Sequence, residues 1–520
     1  MDWDEELKEL ESKRTRALMM GGEEKIARKH GKGRLTAREW IDRLLDTDSF
    51  MELGLFDHSD MPGMEEKTPT DSKIDGYGLI DGRTVAVMAC DFTVLSSTSS
   101  RVALKKESEL RHQAAEKGFP VIYLAECGGA RMPDIMGSQG LAAFGGLSPD
   151  GFVRSLSRER LSPMITTAMG ECYGASAWMC CLADFVVQMK GAAIAVSGPR
   201  VLEIALSEII TEEELGGWKV HAEITGMTDA VAEDEEDCFQ IIKRFLSYMP
   251  SHRDELPPTA EVPKDSGAKM KDILKFLPKQ RNRGYDMHQI LKCIVDKDSL
   301  FPIKPLFGKN TITALARVDG HVVGLVANQP MFGGGAMDTN GIDKVISFLC
   351  LCDSFNIPLI FFHDIPGFLV GKDAERKRVA GKVINFMQAI SLTTVPKISI
   401  VVRKTYGQAY FNMGGTGCDS DFLVAWPTAE ISFVDPEVAV NVVYAGKGLP
   451  ADDQSEEYKT LLQQMVKDAS PYGAAGKHLI HDVIDPRETR NYIIKALDIC
   501  RKSRTSGLSQ HKLATWPTKF

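Results

Sequence analysis

Long hydrophobic runs are missing from this 520-residue chain. No stretch approaches the roughly 18 uninterrupted apolar residues of a membrane span, and the longest candidates, such as Val395–Val402, are strand-sized. A basic excess is missing as well. Sixty-two Lys and Arg face 71 Asp and Glu, a net charge of −9, which excludes a general nucleic-acid binder while leaving room for local basic patches. Cysteine is sparse: 11 residues, no C-x-x-C, and pairs such as Cys180-Cys181 and Cys350-Leu-Cys352 in apolar surroundings. That pattern reads as reduced, mostly buried thiols of a cytosol-like compartment, with no structural zinc ribbon or other metal site. The acidic start, Met1-Asp-Trp-Asp-Glu-Glu, is unlike a secretory or transit peptide, so a cytoplasmic location is expected. G-x-S-x-G, Walker A and H-E-x-x-H are all absent, which removes the commonest hydrolase, nucleotide and zinc-protease signatures. With 43% hydrophobic and 26% charged residues the chain is ordinary in composition, and disorder throughout is excluded.

What is present is an internal echo. Gly78–Ala89 is answered by Ala316–Ala327, and Phe119–Glu126 by Ile357–Asp364, both at a shift of 238. Ser162–Met169, running on to Tyr173-Gly174, is answered by Val395–Val402 running on to Tyr406-Gly407, at a shift of 233. Four matches in order, counting Ala193–Pro199 with Glu430–Pro436, indicate two copies of one domain. The proline-rich polar stretch 251–270 reads as a linker, giving expected domains at 1–250 and 271–520. Ahead of the first copy, Glu5–Arg16 and Arg34–Leu45 read as helices, the second capped by Thr36. Asp81-Gly82 and Asp319-Gly320 are hairpin turns between β-rich flanks. Val121–Ala125 and Leu359–Phe362 are continuous apolar runs suited to strands covered on both faces. Strand–helix alternation then predicts an α/β layered architecture.

Glycines follow the buried strands. Cys127-Gly-Gly-Ala-Arg ends one strand and Tyr173-Gly-Ala-Ser the next, with Ile365-Pro-Gly-Phe and Tyr406-Gly-Gln-Ala as their counterparts. Residues after each turn are helix-compatible, so free backbone N–H groups can converge on an oxygen that gains charge during reaction. Tight turns also use glycine for conformational reasons alone, and both readings stand at this point. His112, His221, His288, His321 and His363 occur singly and read as surface or packing residues. The equivalent acids Glu126 and Asp364 read as hydrogen-bond partners rather than an acid/base pair, and Glu212–Glu214 and Glu233–Asp237 as solvated helix starts.

Gly128–Arg131, Asp364–Gly371, Val395-Pro-Lys-Ile, Arg403-Lys-Thr-Tyr-Gly, Trp426–Ile431 and Asp482–Arg490 together resemble the carboxyltransferase (β) subunit of biotin-dependent acyl-CoA carboxylases. The propionyl-CoA and methylcrotonyl-CoA enzymes and their transcarboxylase and decarboxylase relatives share these motifs. The resemblance runs from about residue 25 to residue 500. It implies an α/β fold made of two tandem crotonase-like ββα superhelix domains, the first on the acyl-CoA side and the second on the biotin side. Biotin would then provide the base, and the protein would provide orientation and two oxyanion sites. Carried over residue by residue, the acyl-side donors are the N–H groups of Gly174 and Ala175, and the biotin-side donors those of Gln408 and Ala409. Gly128, Gly129, Ala130 and Arg131 would line the CoA side, and Pro366, Gly367, Phe368, Tyr406 and Gly407 the biotin side.

Departures from the family pattern are equally legible. Tyr173-Gly-Ala-Ser stands where the family often reads A-G-G-A, Gln408 where it often has glycine, and Phe411 where it has an acidic residue that helps select the acyl group. Leu95-Ser-Ser-Thr-Ser-Ser replaces a usual glycine pair. These changes suggest a larger or more apolar acyl group than propionyl or acetyl. No biotinyl-lysine context such as Ala-Met-Lys-Met occurs, so carboxybiotin is expected on a separate biotin carrier chain, with a biotin carboxylase partner. A dimer-built homohexamer is expected as well. Three functions stay open: an acyl-CoA carboxylase subunit, the same half-reaction in a decarboxylase or transcarboxylase, and a CoA-binding scaffold without turnover.

Overall fold

A computed structural model describes residues 3–145, 157–446 and 455–517. The chain divides into two compact units, Met1–Arg253 and Asp254–Trp516. In unit one the strands β1 (Met51–Leu53), β2 (Lys73–Ile80), β3 (Arg83–Cys90), β4 (Val121–Cys127), β5 (Met164–Tyr173), β6 (Phe185–Met189) and β8 (Ala230–Ala232) form one sheet in that order, and β7 (Ala193–Ala195) pairs with β5. Unit two repeats the plan with β9 (Phe301–Ile303), β10 (Thr311–Val318), β11 (His321–Asn328), β12 (Leu359–Ile365), β13 (Lys397–Tyr406), β14 (Phe422–Ala425) and β16 (Asp482–Val483), and β15 (Glu430–Ser432) pairs with β13.

The hairpins are as the Asp-Gly pairs require. Asp81 and Gly82 take φ of 50° and 75°, Asp319 and Gly320 take 54° and 77°, and this doubly left-handed turn matches the twist of the flanking strands. Beyond the hairpins pairing turns parallel, from β3 to β4 to β5 in one unit and β11 to β12 to β13 in the other. Every residue of β4 and β12 is buried, as their continuous apolar runs predict. The β4–β5 register slips between Ala125 and Cys127, and β12–β13 slips between His363 and Ile365. Glu126 and Asp364 therefore sit at the same irregularity in each copy.

Thr36 caps the Ala37–Leu44 helix in a full capping box with Glu39. Residues 254–269 run as turns and extended chain within unit two, and Ala260 N–H donates to Gly320 O at 2.9 Å. All eleven cysteines are free and nine are buried. Among the described residues no helix is long and apolar enough to cross a membrane. One expectation is corrected here. Glu235, read as part of a solvated helix start, is buried and accepts bonds from Arg34 Nε (2.7 Å), Leu35 N (3.0 Å) and Trp40 Nε1 (3.0 Å), tying the N-terminal helices to the sheet. Glu212–Glu214 do form an exposed helix start, capped by Thr211.

Candidate active site: twin glycine turns and a basic cleft

Each second buried strand ends in a sharp turn. At the end of β5, Gly174 adopts φ 63° and ψ −119° before the Ala175–Leu182 helix; at the end of β13, Gly407 adopts φ 57° and ψ −138° before the Gln408–Asn412 helix. Both conformations lie outside the regions open to residues with a Cβ. A Cβ on Gly407 would also lie 2.9 Å from Phe433 O. No side chain caps either helix.

Hydrogen bonding separates the donors that are free from those that are not. Gly174 N–H donates to Val196 O (3.1 Å) and Gly407 N–H to Ser432 O (3.0 Å), so each turn glycine is tied to the neighbouring short strand. Among the described residues nothing accepts from the N–H groups of Ala175 and Ser176, or from those of Gln408 and Ala409. The free pairs Ala175–Ser176 and Gln408–Ala409 are equivalent under the shift of 233; of the expected unit-one residues, Ala175 keeps its N–H free and Gly174 gives its N–H to Val196 O.

The preceding turn lies alongside. In unit one Gly128 N–H donates to Ser96 O (2.9 Å), Ser99 N–H to Gly129 O (2.8 Å) and Arg131 N–H to Ser99 O (2.8 Å). Met337 and Phe368 form the equivalent bridge in unit two, with Leu369 N–H donating to Met337 O. A Cβ on Gly174 would sit 3.9 Å from Gly129 Cα, so the two unit-one turns are neighbours. Gly128 and Ala130 are exposed and Gly129 is buried. Arg131 is not available to a ligand. Its guanidinium is buried against Asp71 Oδ1 (2.5 Å), Ser72 Oγ (3.2 Å) and Thr98 O (2.9 Å), where it pins the turn from beneath. In unit two Pro366 is exposed, Gly367 and Phe368 are partly exposed, and a Cβ on Gly367 would meet nothing within 4 Å. Gln408 reaches Asn412 Oδ1 (3.0 Å), and Phe411 stands exposed with its ring edge-on to Tyr410.

The equivalent acids are structural. Glu126 accepts from Lys29, itself buried under Trp40, and Asp364 accepts from Arg403 Nε at 3.0 Å. Burial raises the Asp364 carboxyl while Arg403 opposes the rise. Tyr406, on the unit-two turn, donates to Glu430 Oε2 (2.6 Å) and accepts from Arg281 Nη2 (2.8 Å), and Arg281 also holds Asp435. That network fixes the turn by its side chain.

A cleft of about 1110 Å³ opens in unit one beside the turns. One wall is cationic, with Lys25, Arg28, Lys29 and Lys32 joined by Arg34 and Arg200. Among the described residues Lys25, Arg28, Lys32 and Arg200 make no ion pair, which leaves four positive charges for an anionic ligand. The floor holds Gly128, Ser96, Thr98, Tyr173 and Glu171. Burial, Glu212 and Glu126 push the Glu171 carboxyl up, with Lys32 opposing. Phe92, Leu95, Val201 and Ile204 add apolar surface to the same lining. Sequence reading missed the cationic wall, although Lys25, Arg28 and Lys29 recur at the three- and four-residue steps of one helix and Lys32 follows in the turn at its end. Among the described residues no three His, Cys, Asp or Glu side chains are grouped to hold a metal ion.

Comparison with known proteins agrees with this geometry. Residues 28–513 match the carboxyl transferase domain family. The chain is 37% identical over 511 residues to the propionyl-CoA carboxylase carboxyltransferase subunit of Haloferax mediterranei, covering 97% of this chain and 98% of that one. It is 32% identical to the methylmalonyl-CoA decarboxylase subunit alpha of Veillonella parvula, over 96% of each. Among solved structures it is similar to transcarboxylase 12S, a hexamer assembly with methylmalonyl-coenzyme A and methylmalonic acid bound, at a TM-score of 0.89, 31% identity and 97% coverage of both chains. The tandem crotonase-like α/β architecture follows from that likeness. The chain belongs to the carboxyl transferase domain family and is a carboxyltransferase of the biotin-dependent acyl-CoA carboxylase and transcarboxylase type.

Proposed function

We propose that the chain is the carboxyltransferase component of an acyl-CoA carboxylase, with the acyl-CoA in the unit-one cleft and biotin at the unit-two turn. The observation that carries this reading is the pair of free N–H groups, Ala175 and Ser176, at a helix N-terminus beside a cleft with four unpaired cations. Lys25, Arg28, Lys32 and Arg200 suit the phosphates of CoA. Removal of the acyl α-proton moves negative charge to the thioester oxygen. The two N–H groups and the positive end of the helix dipole oppose that charge without reorganising.

The unit-two residues fit biotin. Gln408 and Ala409 present two N–H donors suited to a ureido oxygen, and the open face at Gly367 leaves room beside them. Bound carboxybiotin supplies the transferable carboxyl group and the base. Arg281, through Tyr406 and Glu430, keeps the donors aimed. We place the biotin on a separate carrier chain beside a biotin carboxylase partner, and infer a dimer-built homohexamer in keeping with the assembly of transcarboxylase 12S.

The test combines purified chain, free biotin and a panel of carboxylated acyl-CoAs. Biotin-dependent CO2 release is expected for at least one of them. Acyl-CoA binding with no biotin-dependent release across the panel would overturn the reading and leave a scaffold. Capture of a biotin carboxylase subunit by the tagged chain supports carboxylation as the working direction. Capture of a membrane-bound decarboxylase component in its place would reverse it.

A further inference from the structure

The two copies treat the tyrosine before the turn glycine differently. In unit two the Tyr406 hydroxyl is fully engaged by Glu430 and Arg281. In unit one its twin, Tyr173, is 5% exposed, lines the cleft, and its hydroxyl is buried with no partner among the described residues. Copy one has no counterpart of Glu430, because Ala193 occupies that position under the shift of 237. Its ring is held against Gly198, where an added Cβ would lie 2.8 Å from Cε2. Across the turn, Ser176 Oγ is likewise buried without a partner, and its twin is Ala409, which has no hydroxyl. Burial and the nearby Glu212 and Glu171 carboxylates raise the Tyr173 phenol, so it stays protonated and able to donate.

An orphaned buried hydroxyl is costly to the free protein and becomes favourable only when a ligand supplies the acceptor. We infer that Tyr173 is a substrate-binding residue of the acyl-side site, its phenol donating a hydrogen bond to an oxygen of the bound acyl-CoA. This rests on the reading of the cleft as the acyl-CoA site. The acceptor is either an amide oxygen of the pantetheine arm, common to all CoA esters, or an oxygen carried by the acyl group.

Tyr173→Phe removes the hydroxyl and keeps the ring. Its apo Tm should equal or exceed that of the parent, whereas Tyr406→Phe, which breaks a made network, should lower Tm. KM for the acyl-CoA should rise about threefold to tenfold, the worth of one neutral hydrogen bond, with kcat within about twofold. A loss shared by every acyl-CoA and by CoA itself assigns the acceptor to pantetheine. A loss confined to acyl groups bearing their own oxygen assigns it to the acyl chain. An unchanged KM across the panel, or a Tm loss matching that of Tyr406→Phe, would overturn the inference. Acyl-CoA-induced thermal stabilisation of the parent separates the two levels: if the parent shows none, the reading of the cleft fails too, and if it shows the full shift while the variant matches it, only the role of Tyr173 falls.

Discussion

Gly174 is where a single Cβ has the greatest leverage. Nothing is closer than 3.9 Å to an added Cβ, so a substitution meets no steric wall, and its cost is conformational. Holding a residue with a side chain at φ 63°, ψ −119° costs on the order of 1–3 kcal/mol. The turn relieves that strain by rotating, which swings the Ala175 N–H off its target. Gly174→Ala should therefore lose about a hundredfold in kcat, the scale of a lost oxyanion donor, for a Tm loss of only a few degrees. A kcat that falls only as far as the folded fraction would remove the donors from the mechanism. Asp75 makes a different residue-scale prediction. It is fully buried, neither carboxylate oxygen meets a donor among the described residues, and burial, with Glu107 reinforcing and Lys106 and Lys73 opposing, pushes its pKa up to about 7. The folded state then keeps a proton that the unfolded chain releases from about pH 4 upward. Stability contributed by this group falls as pH rises towards 7 and is flat above it. In Asp75→Asn the Tm difference from the parent should shift in the variant's favour between pH 5 and 7 and level off beyond, as thermal melts across that range will show.

At the scale of elements, the loop beneath the cleft is strained where its twin is not. Leu95, Ser96 and Ser97 all take positive φ, at 47°, 54° and 49°, while the equivalent Gly333, Gly334 and Gly335 take the same hand without penalty. Ser96 is exposed, and among the described residues its hydroxyl has no bonding partner. Ser96→Gly should raise stability by about 1 kcal/mol, less the entropy glycine adds to the unfolded chain, and a rise in Tm checks it. Ser97→Gly should gain less, because Ser97 Oγ donates to Ser72 O. The sequence showed the replacement of glycine but not that the backbone had kept the glycine conformation, since φ is set by the loops packed around it. The same division runs through the site. Hairpins, buried strands and turn glycines were legible because local chemistry dictates them. The burial of Arg131 on Asp71, 60 residues away in the chain, and the engagement of Gly174 N–H by Val196 O depend on tertiary neighbours that no spacing encodes. The cationic face at Lys25–Lys29 was readable from its period alone, yet its meaning required the cleft it lines.

For the whole molecule, charge sets a problem that the fold solves locally. A net charge of −9 repels a phosphate-bearing ligand at long range. Lys25, Arg28, Lys32 and Arg200, unpaired among the described residues, reverse that sign over one cleft wall. At physiological salt the screening length is about 8 Å, so the distant acidic surface is largely hidden from the ligand while cleft cations in contact with it still act. Raising salt should therefore weaken acyl-CoA binding, because attraction at the wall outweighs repulsion from the remainder. Lys25→Glu with Lys32→Glu removes two of the four charges and adds two of opposite sign, all on exposed or partly exposed positions that carry no core packing. The double variant should fold with an unchanged Tm, raise KM for acyl-CoA by tenfold or more on the scale of about 1 kcal/mol per surface charge contact, and flatten or invert the salt dependence of KM. Its kcat at saturation should stay close to that of the parent, since the turn and its backbone donors are unaltered. A steady-state series in KCl reads all three quantities, and a double variant whose KM and salt slope match those of the parent would move the CoA phosphates away from this wall.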